Sequence, residues 1–180
     1  SVTVAADSGI TTYNFPITAI PYNDVAVYLY RYLPPRPGFS YYNYISYRNN
    51  GTQTIASGTL NFTKPSEVSI SGIYQTGTVA NATGFSYNFT NLLPNEYRHF
   101  WVKMEVPTIP TVALGQQLTS TAQVTFAGTD AFPLNNSATL IQTIVGSYDP
   151  NDKSEAHGGT ILHSSFTSND YLTYTINFEN

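Results

Sequence analysis

Apolar residues in this chain return at every second position in one stretch after another, and no window repeats them at helical spacing. Val25, Val27 and Leu29 alternate with Ala26, Tyr28 and Tyr30. Phe100, Val102, Met104 and Val106 alternate with His99, Trp101, Lys103 and Glu105. The longest case sets Leu118, Ser120, Ala122, Val124 and Phe126 against Gln117, Thr119, Thr121, Gln123 and Thr125. Period two sends alternate side chains to opposite faces, so each run reads as a strand with one face covered and one face wet. The stretch 39–48 leaves its inner face undecided, because aromatic residues occupy both parities.

Turn chemistry separates the runs. Asn49-Asn50-Gly51 supplies residues that tolerate positive φ. Pro94-Asn95 and the stretch from Pro107 to Pro110 interrupt two more runs, since proline cannot donate to a ladder. Leu33 to Gly38, with three prolines, is expected as a stiff, exposed crossover of polyproline type. Strands are predicted near 24–31, 39–48, 56–63, 67–71, 84–91, 97–106, 117–127 and 137–145. Short strands separated by turns, without helices, give an all-β fold. The expected form is an immunoglobulin-like antiparallel two-sheet sandwich of Greek-key type, with seven or eight strands in the complete module.

Composition narrows the function classes. Fifteen tyrosines and ten phenylalanines suit a pleated, half-buried surface. Charged residues make up 10% of the chain and hydrophobic ones 41%, too apolar for a disordered segment. The net charge is −4 and the seven basic residues are scattered, so no nucleic-acid footprint is expected. No apolar run is long enough for a membrane span, and no basic amphipathic helix is present to lie on a bilayer. With no cysteine, disulfide scaffolds, thiolate catalysis and zinc–cysteine sites are all excluded.

A weak internal repeat sets the expected organisation. Ile45-Ser46-Tyr47-Arg48-Asn49 returns as Ile176-Asn177-Phe178-Glu179-Asn180, an offset of 131 residues between Tyr47 and Phe178. Tyr22-Asn23-Asp24 has a looser echo in the stretch from Tyr148 to Asp152, offset by 128 residues between Asp24 and Asp152. Two echoes at about one domain length suggest a tandem array. Residues 1–21 are then the C-terminal strands of a preceding module, 22–148 a complete sandwich, and 149–180 a linker with the first strands of a following module. The start at Ser1 and the end at Asn180, inside a strand-like pattern, fit a piece cut from a longer chain.

Several stretches together resemble a repeat family of secreted and cell-surface Bacteroidetes proteins. They are Pro35-Arg36-Pro37-Gly38-Phe39, the strand and turn from Ile45 to Gly51, Asn88-Phe89-Thr90-Asn91-Leu92-Leu93-Pro94, Asp130 with Pro133, Asn135 and Asn136, and Tyr148-Asp149-Pro150-Asn151-Asp152-Lys153. The last is the most specific. The resemblance implies a conserved-repeat sandwich in long, adhesin-like chains that often leave by the type IX route, a secreted or cell-surface location, and no reaction.

Candidate sites are few. Asp149, Asn151 and Asp152 place three hard oxygen donors around Pro150, the ligand type calcium takes. An EF-hand is excluded, because Lys153, Ser154 and Thr160 stand where a donor, the turn glycine and the closing glutamate belong. An Asx-turn uses the same residues without a metal and is the expectation, with calcium as the alternative. Asp130, Asn135 and Asn136 are read the same way. Tyr97, His99 and Trp101, continued by Lys103 and Glu105, share one strand face that Tyr28, Tyr30, Tyr42 and Tyr44 extend. Such aromatics either stack on sugar rings or pair across strands to stabilise the sheet, and pairing is the expectation. His157 and His163, with Asp170 nearby, have no rigid metal spacing. Glu96, Glu105 and Asp130 are the carboxylates a glycosidase pair would draw on, yet nothing in the pattern converges them. No nucleophile elbow, phosphate loop or His-Glu-x-x-His helix occurs.

The function expected from these readings is a non-catalytic structural or stalk module of a large exported protein, whose partners are neighbouring modules of the same chain. The alternatives are a glycan- or protein-binding module using the Tyr/Trp face, and an accessory domain of a secreted enzyme.

Overall fold

The computed structural model describes residue 18 and residues 20–146, 152–155 and 162–177. Nine strands build two antiparallel sheets: β1 (Val25–Arg31), β2 (Ser40–Asn49), β3 (Ile55–Thr63), β4 (Ser69–Ile73), β5 (Thr78–Asn81), β6 (Gly84–Leu92), β7 (Tyr97–Glu105), β8 (Gln117–Phe126) and β9 (Ser137–Thr143). One sheet has the order β1-β2-β7-β4 and the other β5-β6-β3-β8-β9. The chain changes sheet between β2 and β3, β3 and β4, β4 and β5, β6 and β7, and β7 and β8. Most neighbours are therefore distant in sequence, as in an immunoglobulin-like sandwich.

The period-two pattern explains the two faces. Val25, Val27, Phe100, Val102 and Met104 point inward from the four-stranded sheet and meet Leu60, Phe62, Phe85, Leu118, Ala122 and Val124 of the other. Fully burying one such side chain is worth about 1.5–3 kcal/mol. β2 settles the parity that the sequence left open. Tyr41, Asn43, Ile45, Tyr47 and Asn49 are inside, and Tyr42, Tyr44 and Ser46 are outside. Burial raises the phenol pKa of both Tyr41 and Tyr47, and Tyr41 donates its hydroxyl to the Met104 sulfur.

Three sequence expectations need correction. β5 was not predicted; it is a four-residue edge strand, too short and too exposed to show a period, and it turns into β6 through Ala82 and Thr83. β4 starts at Ser69 rather than near 67, because Val68 closes a turn by donating its N–H to the Pro65 carbonyl. The proline crossover is not fully exposed. Pro35 is buried, and its carbonyl accepts the Val145 N–H at 3.0 Å.

These contacts define two ends. At the entry end, the Asp24 carbonyl accepts the N–H groups of Asn50 and Gly51, and the Asp130 carboxylate accepts the Val25 N–H. Asn23 bridges to Asp130 and its carbonyl accepts the Ala131 N–H, after which the short 3₁₀ turn η1 (Pro133–Asn136) leads into β9. At the exit end, Ile144 donates to the Gln116 carbonyl and Val145 to Pro35. Beyond the sandwich, β10 (Asp152–Glu155) pairs antiparallel with β11 (Tyr174–Asn177), and η2 (His163–Ser165) lies between them in sequence. The stretch 149–180, expected as a linker with the first strands of a following module, contains β10 and β11 among its described residues.

Candidate functional site

The parity of β1, β2 and β7 builds the site. Turning their aliphatic positions inward leaves Tyr28, Tyr30, Tyr42, Tyr44, Tyr97, His99 and Trp101 on the outer face of the four-stranded sheet. Register then sorts them into rows that run across the strands. Tyr30 lies opposite Tyr44, and Tyr44 opposite Trp101. Just past β4, the Tyr74 N–H donates to the Trp101 carbonyl at 2.9 Å, which adds a fourth aromatic to the row. With neighbouring strands about 4.8 Å apart, the row spans ~14 Å. The next row begins at Tyr32, whose N–H donates to the Tyr42 carbonyl, and continues through Tyr42, Lys103 and Gly72.

The rings pack on one another. Trp101 sits 4.7 Å from Tyr44 between centroids, 5.5 Å from Tyr32 and 6.4 Å from Tyr42. His99 lies between Tyr44 and Tyr97, at 5.0 and 5.9 Å. Such pairs contribute about 0.5–1.5 kcal/mol each beyond the area they bury. Pairing does not cover the face, however. Tyr32 is 63% exposed and Tyr74 61%. Where the two rows meet, Tyr32, Tyr42, Tyr74 and Trp101 line an open cleft of about 290 Å³. Trp101, read from the sequence, lines this cleft, whereas Tyr97 and His99 continue the face outside it.

The polar surroundings are hydroxyls and one ion pair. Hydrogen bonding with Tyr74 and then burial raise the Tyr42 phenol above its ordinary pKa. Burial, followed by Tyr97 and Tyr30, does the same for Tyr44. Ser71 donates its hydroxyl to Glu105 Oε1 at 2.7 Å, and Lys103 Nζ lies 3.5 Å from the same oxygen.

The remaining sequence candidates fall elsewhere. Glu96 and Asp130 lie at the entry end and Glu105 at the other end of β7, so the three carboxylates are not brought together. Each has partners of its own. Glu96 holds Arg98 Nε and the Leu93 N–H, both at 2.7 Å, and Asp130 accepts the N–H groups of Val25 and Phe132. Asn135 donates its amide to Asp24 at 2.9 Å, so the Asp130–Asn136 loop clamps the entry strand. The amide oxygens of Asn135 and Asn136 are buried without a partner among the described residues. Asp149, Asn151 and His157 lie outside the described residues; Asp152 opens β10 opposite Asn177. His163 is exposed in η2, and Asp170 accepts the Thr167 N–H and hydroxyl. Among the described residues, no three His, Cys, Asp or Glu side chains gather.

No protein-family model and no curated protein matches the chain. Solved β-sandwich structures are similar to it. The CARDB domain of the PF1109 protein from Pyrococcus furiosus, in complex with di-metal ions, is 16% identical with a TM-score of 0.49, over 75% of this chain and 100% of that one. The human CEP192 ASH/PapD-like domain is 14% identical with a TM-score of 0.34, over 77% and 94%. AvmM, which catalyses a macrocyclization in alchivemycin A biosynthesis, is 10% identical with a TM-score of 0.40, over 71% and 95%. The all-β, immunoglobulin-like antiparallel sandwich is carried by the strand order of the two sheets, and the likeness to these structures goes no further than fold.

Proposed function

We propose that this chain is a non-catalytic module of a large, exported, adhesin-like bacterial surface protein, and that its sandwich is a rigid spacer between neighbouring modules. The observation that carries the reading is where the backbone enters and leaves. Entry at Asn23 is clamped to the β2–β3 turn and the β8–β9 loop, and exit at Val145 is clamped to Pro35. β9 runs from the first end to the second, pairing Ser137 with Gln123 and Thr143 with Gln117. The two connections therefore leave from opposite ends of the strands, as modules threaded end to end require. Ten residues of β8 at about 3.3 Å each give the spacer a length of ~33 Å. The family resemblance of the Tyr148–Lys153 junction and of the Ile45–Gly51 turn supports the exported, repeated context. The antiparallel pair β10–β11 is what the opening of a next module looks like on this reading.

Tension applied along this path loads β1 and β9 along their length, and they belong to different sheets. Their ladder bonds lie across the force and share it, instead of opening one at a time. Pulling the full chain by its two ends tests this. The 23–145 unit should give one abrupt unfolding step of ~390 Å, from roughly 3.5 Å per residue less the folded length. Gradual lengthening from the Val145 side at low force, without such a step, overturns the spacer reading.

A further inference from the structure

We infer that the cleft formed by Tyr32, Tyr42, Trp101 and Tyr74 is a binding subsite for a sugar ring of a neutral polysaccharide. The inference goes beyond the spacer reading and does not depend on it. It rests on the shape of the cleft, the way its walls are held, and the balance of charge at its rim.

Tyr32 and Tyr42 stand nearly perpendicular to Trp101, at 77° and 88°, and Tyr74 is inclined 36° to Tyr42. Rings at right angles give the open cleft walls as well as a floor, and its volume of about 290 Å³ has room for a flat sugar ring. The two outermost walls are Tyr32 and Tyr74, each one residue past the end of an outer strand. Each is tied back to a central strand by a backbone hydrogen bond, Tyr32 to Tyr42 and Tyr74 to Trp101. The backbone of each wall is thus held before any ligand arrives, and the rings rest on Trp101 and Tyr42, which lowers the ordering cost of binding. Gly72 completes the opening. In the row of Tyr32, Tyr42 and Lys103, the β4 position carries no side chain. A Cβ there would meet only Lys103 Cβ at 3.6 Å and Tyr74 Cε2 at 3.8 Å, ordinary contacts, so the space is free and not demanded by the backbone.

The chemistry selects the occupant. Aromatic faces match the apolar C–H face of a pyranose, and the almost wholly apolar lining leaves the hydroxyl edge of the sugar turned to water. Lys103 and Glu105 are paired with each other, so neither an anion nor a cation gains an uncompensated partner at the rim. The row Tyr30–Tyr44–Trp101–Tyr74 continues the apolar floor across the sheet, so a chain of sugars has more to lie on than a monosaccharide does.

Trp101 is the only tryptophan in the chain, so its emission reports on the cleft alone. The full chain is titrated with soluble mixed-linkage β-glucan, xylan and galactomannan, with polygalacturonate and heparin as charged controls, and with mucin before and after deglycosylation. The same carbohydrates are cast into native gels to measure retardation. At least one neutral polysaccharide should shift the Trp101 emission and retard the protein. Tyr32→Ala and Tyr74→Ala, both exposed and outside the strands, should each weaken that retardation at least tenfold while the protein still melts cooperatively, with no more loss of stability than the ring pairs removed. Gly72→Leu, which fills the opening and removes no aromatic ring, should do the same. The proposal is overturned by no response to any neutral polysaccharide, by responses to charged ones only, by retardation that survives all three substitutions, or by mucin binding that persists after deglycosylation and so marks a polypeptide partner.

Discussion

Two fully buried asparagines on β2 should respond to substitution with opposite outcomes, although both are 0% exposed. The Asn49 amide donates to the Gln53 carbonyl at 2.8 Å and to the Leu92 carbonyl at 2.9 Å, and its oxygen accepts the Gly51 N–H at 2.9 Å. It thereby joins the end of β2, the turn into β3 and the end of β6. Asn49→Ala strands the buried Leu92 carbonyl. It leaves the Gly51 N–H with only its longer bond to Asp24, while exposed Gln53 can turn to water. An orphaned buried group costs about 1–3 kcal/mol, and a weakened one roughly 1, so the loss should be ~2–4 kcal/mol. Asn43 is a different case. Its amide donates once, to Ser120 Oγ at 2.9 Å across the two sheets, and its oxygen is buried without a partner among the described residues. Replacing both partners by apolar groups removes one modest bond together with a standing desolvation cost. The pair Asn43→Leu with Ser120→Ala should therefore stay within about 1 kcal/mol of the parent, and Asn43→Leu alone should be worse than the pair because it strands the serine hydroxyl. Urea denaturation of the full chain, followed by tyrosine and tryptophan fluorescence, measures all four proteins. If the Asn43/Ser120 pair loses as much as Asn49→Ala, hydrogen-bond satisfaction is not what separates the two sites, and the reasoning is wrong.

Gly51→Ala should destabilise the entry end, since its Cβ would sit 2.6 Å from the Tyr22 carbonyl oxygen and 2.8 Å from the Asp24 nitrogen; about 1–3 kcal/mol in a thermal melt is expected, and a neutral result would show that the entry clamp is slack. Hydrogen bonds from Arg98 and then from the Leu93 N–H hold the Glu96 carboxyl below its usual pKa. A lowered carboxyl stabilises the fold above the unfolded value near pH 4.3 and loses that contribution as pH falls through the folded value. Glu96→Gln should then lower stability at neutral pH and flatten the fall in stability below about pH 4. For the Asp149, Asn151 and Asp152 junction, the Asx-turn reading predicts that neither added calcium nor a chelator moves the melting temperature; a rise with calcium that the chelator reverses would establish a metal there instead.

Much of the fold was readable because period two depends on burial, and burial is written into one-sided strands such as 97–105 and 117–126. Reading stopped where two effects overlap on one strand. In β2, tyrosine serves both faces: Tyr41 and Tyr47 fill the core, while Tyr42 and Tyr44 belong to the outer rows. Tyrosine is amphipathic enough for either role, so residue type alone could not assign the parity. Only pairing with β7 does so, by placing Tyr41 opposite Met104 and Tyr44 opposite Trp101. β5 escaped for a different reason. An exposed four-residue edge strand has too few inward positions to generate a pattern.

The aromatic face shows the same limit in a form that matters for function. Along one strand the sequence displays Tyr97, His99 and Trp101 as a strip. In the folded sheet the unit is a row perpendicular to it, assembled from residues that are neighbours only through register. Tyr74 had no sequence signal, since it lies beyond a strand end and belongs to no alternating run; its backbone hydrogen bond to Trp101, and that of Tyr32 to Tyr42, hold the two residues to the face. A signal could have been sought in spacing: Tyr28, Tyr30 and Tyr32 keep one parity through the end of β1, which already implied that the face continues past the strand. Extending the parity rule across strand ends therefore recovers Tyr32, whereas Tyr74 lies beyond the bulge between Ile70 and Gly72 that resets the register of β4. A bulge inserts a residue without changing composition, so the position of Tyr74 opposite Trp101 is a property of the pairing and not of either strand alone.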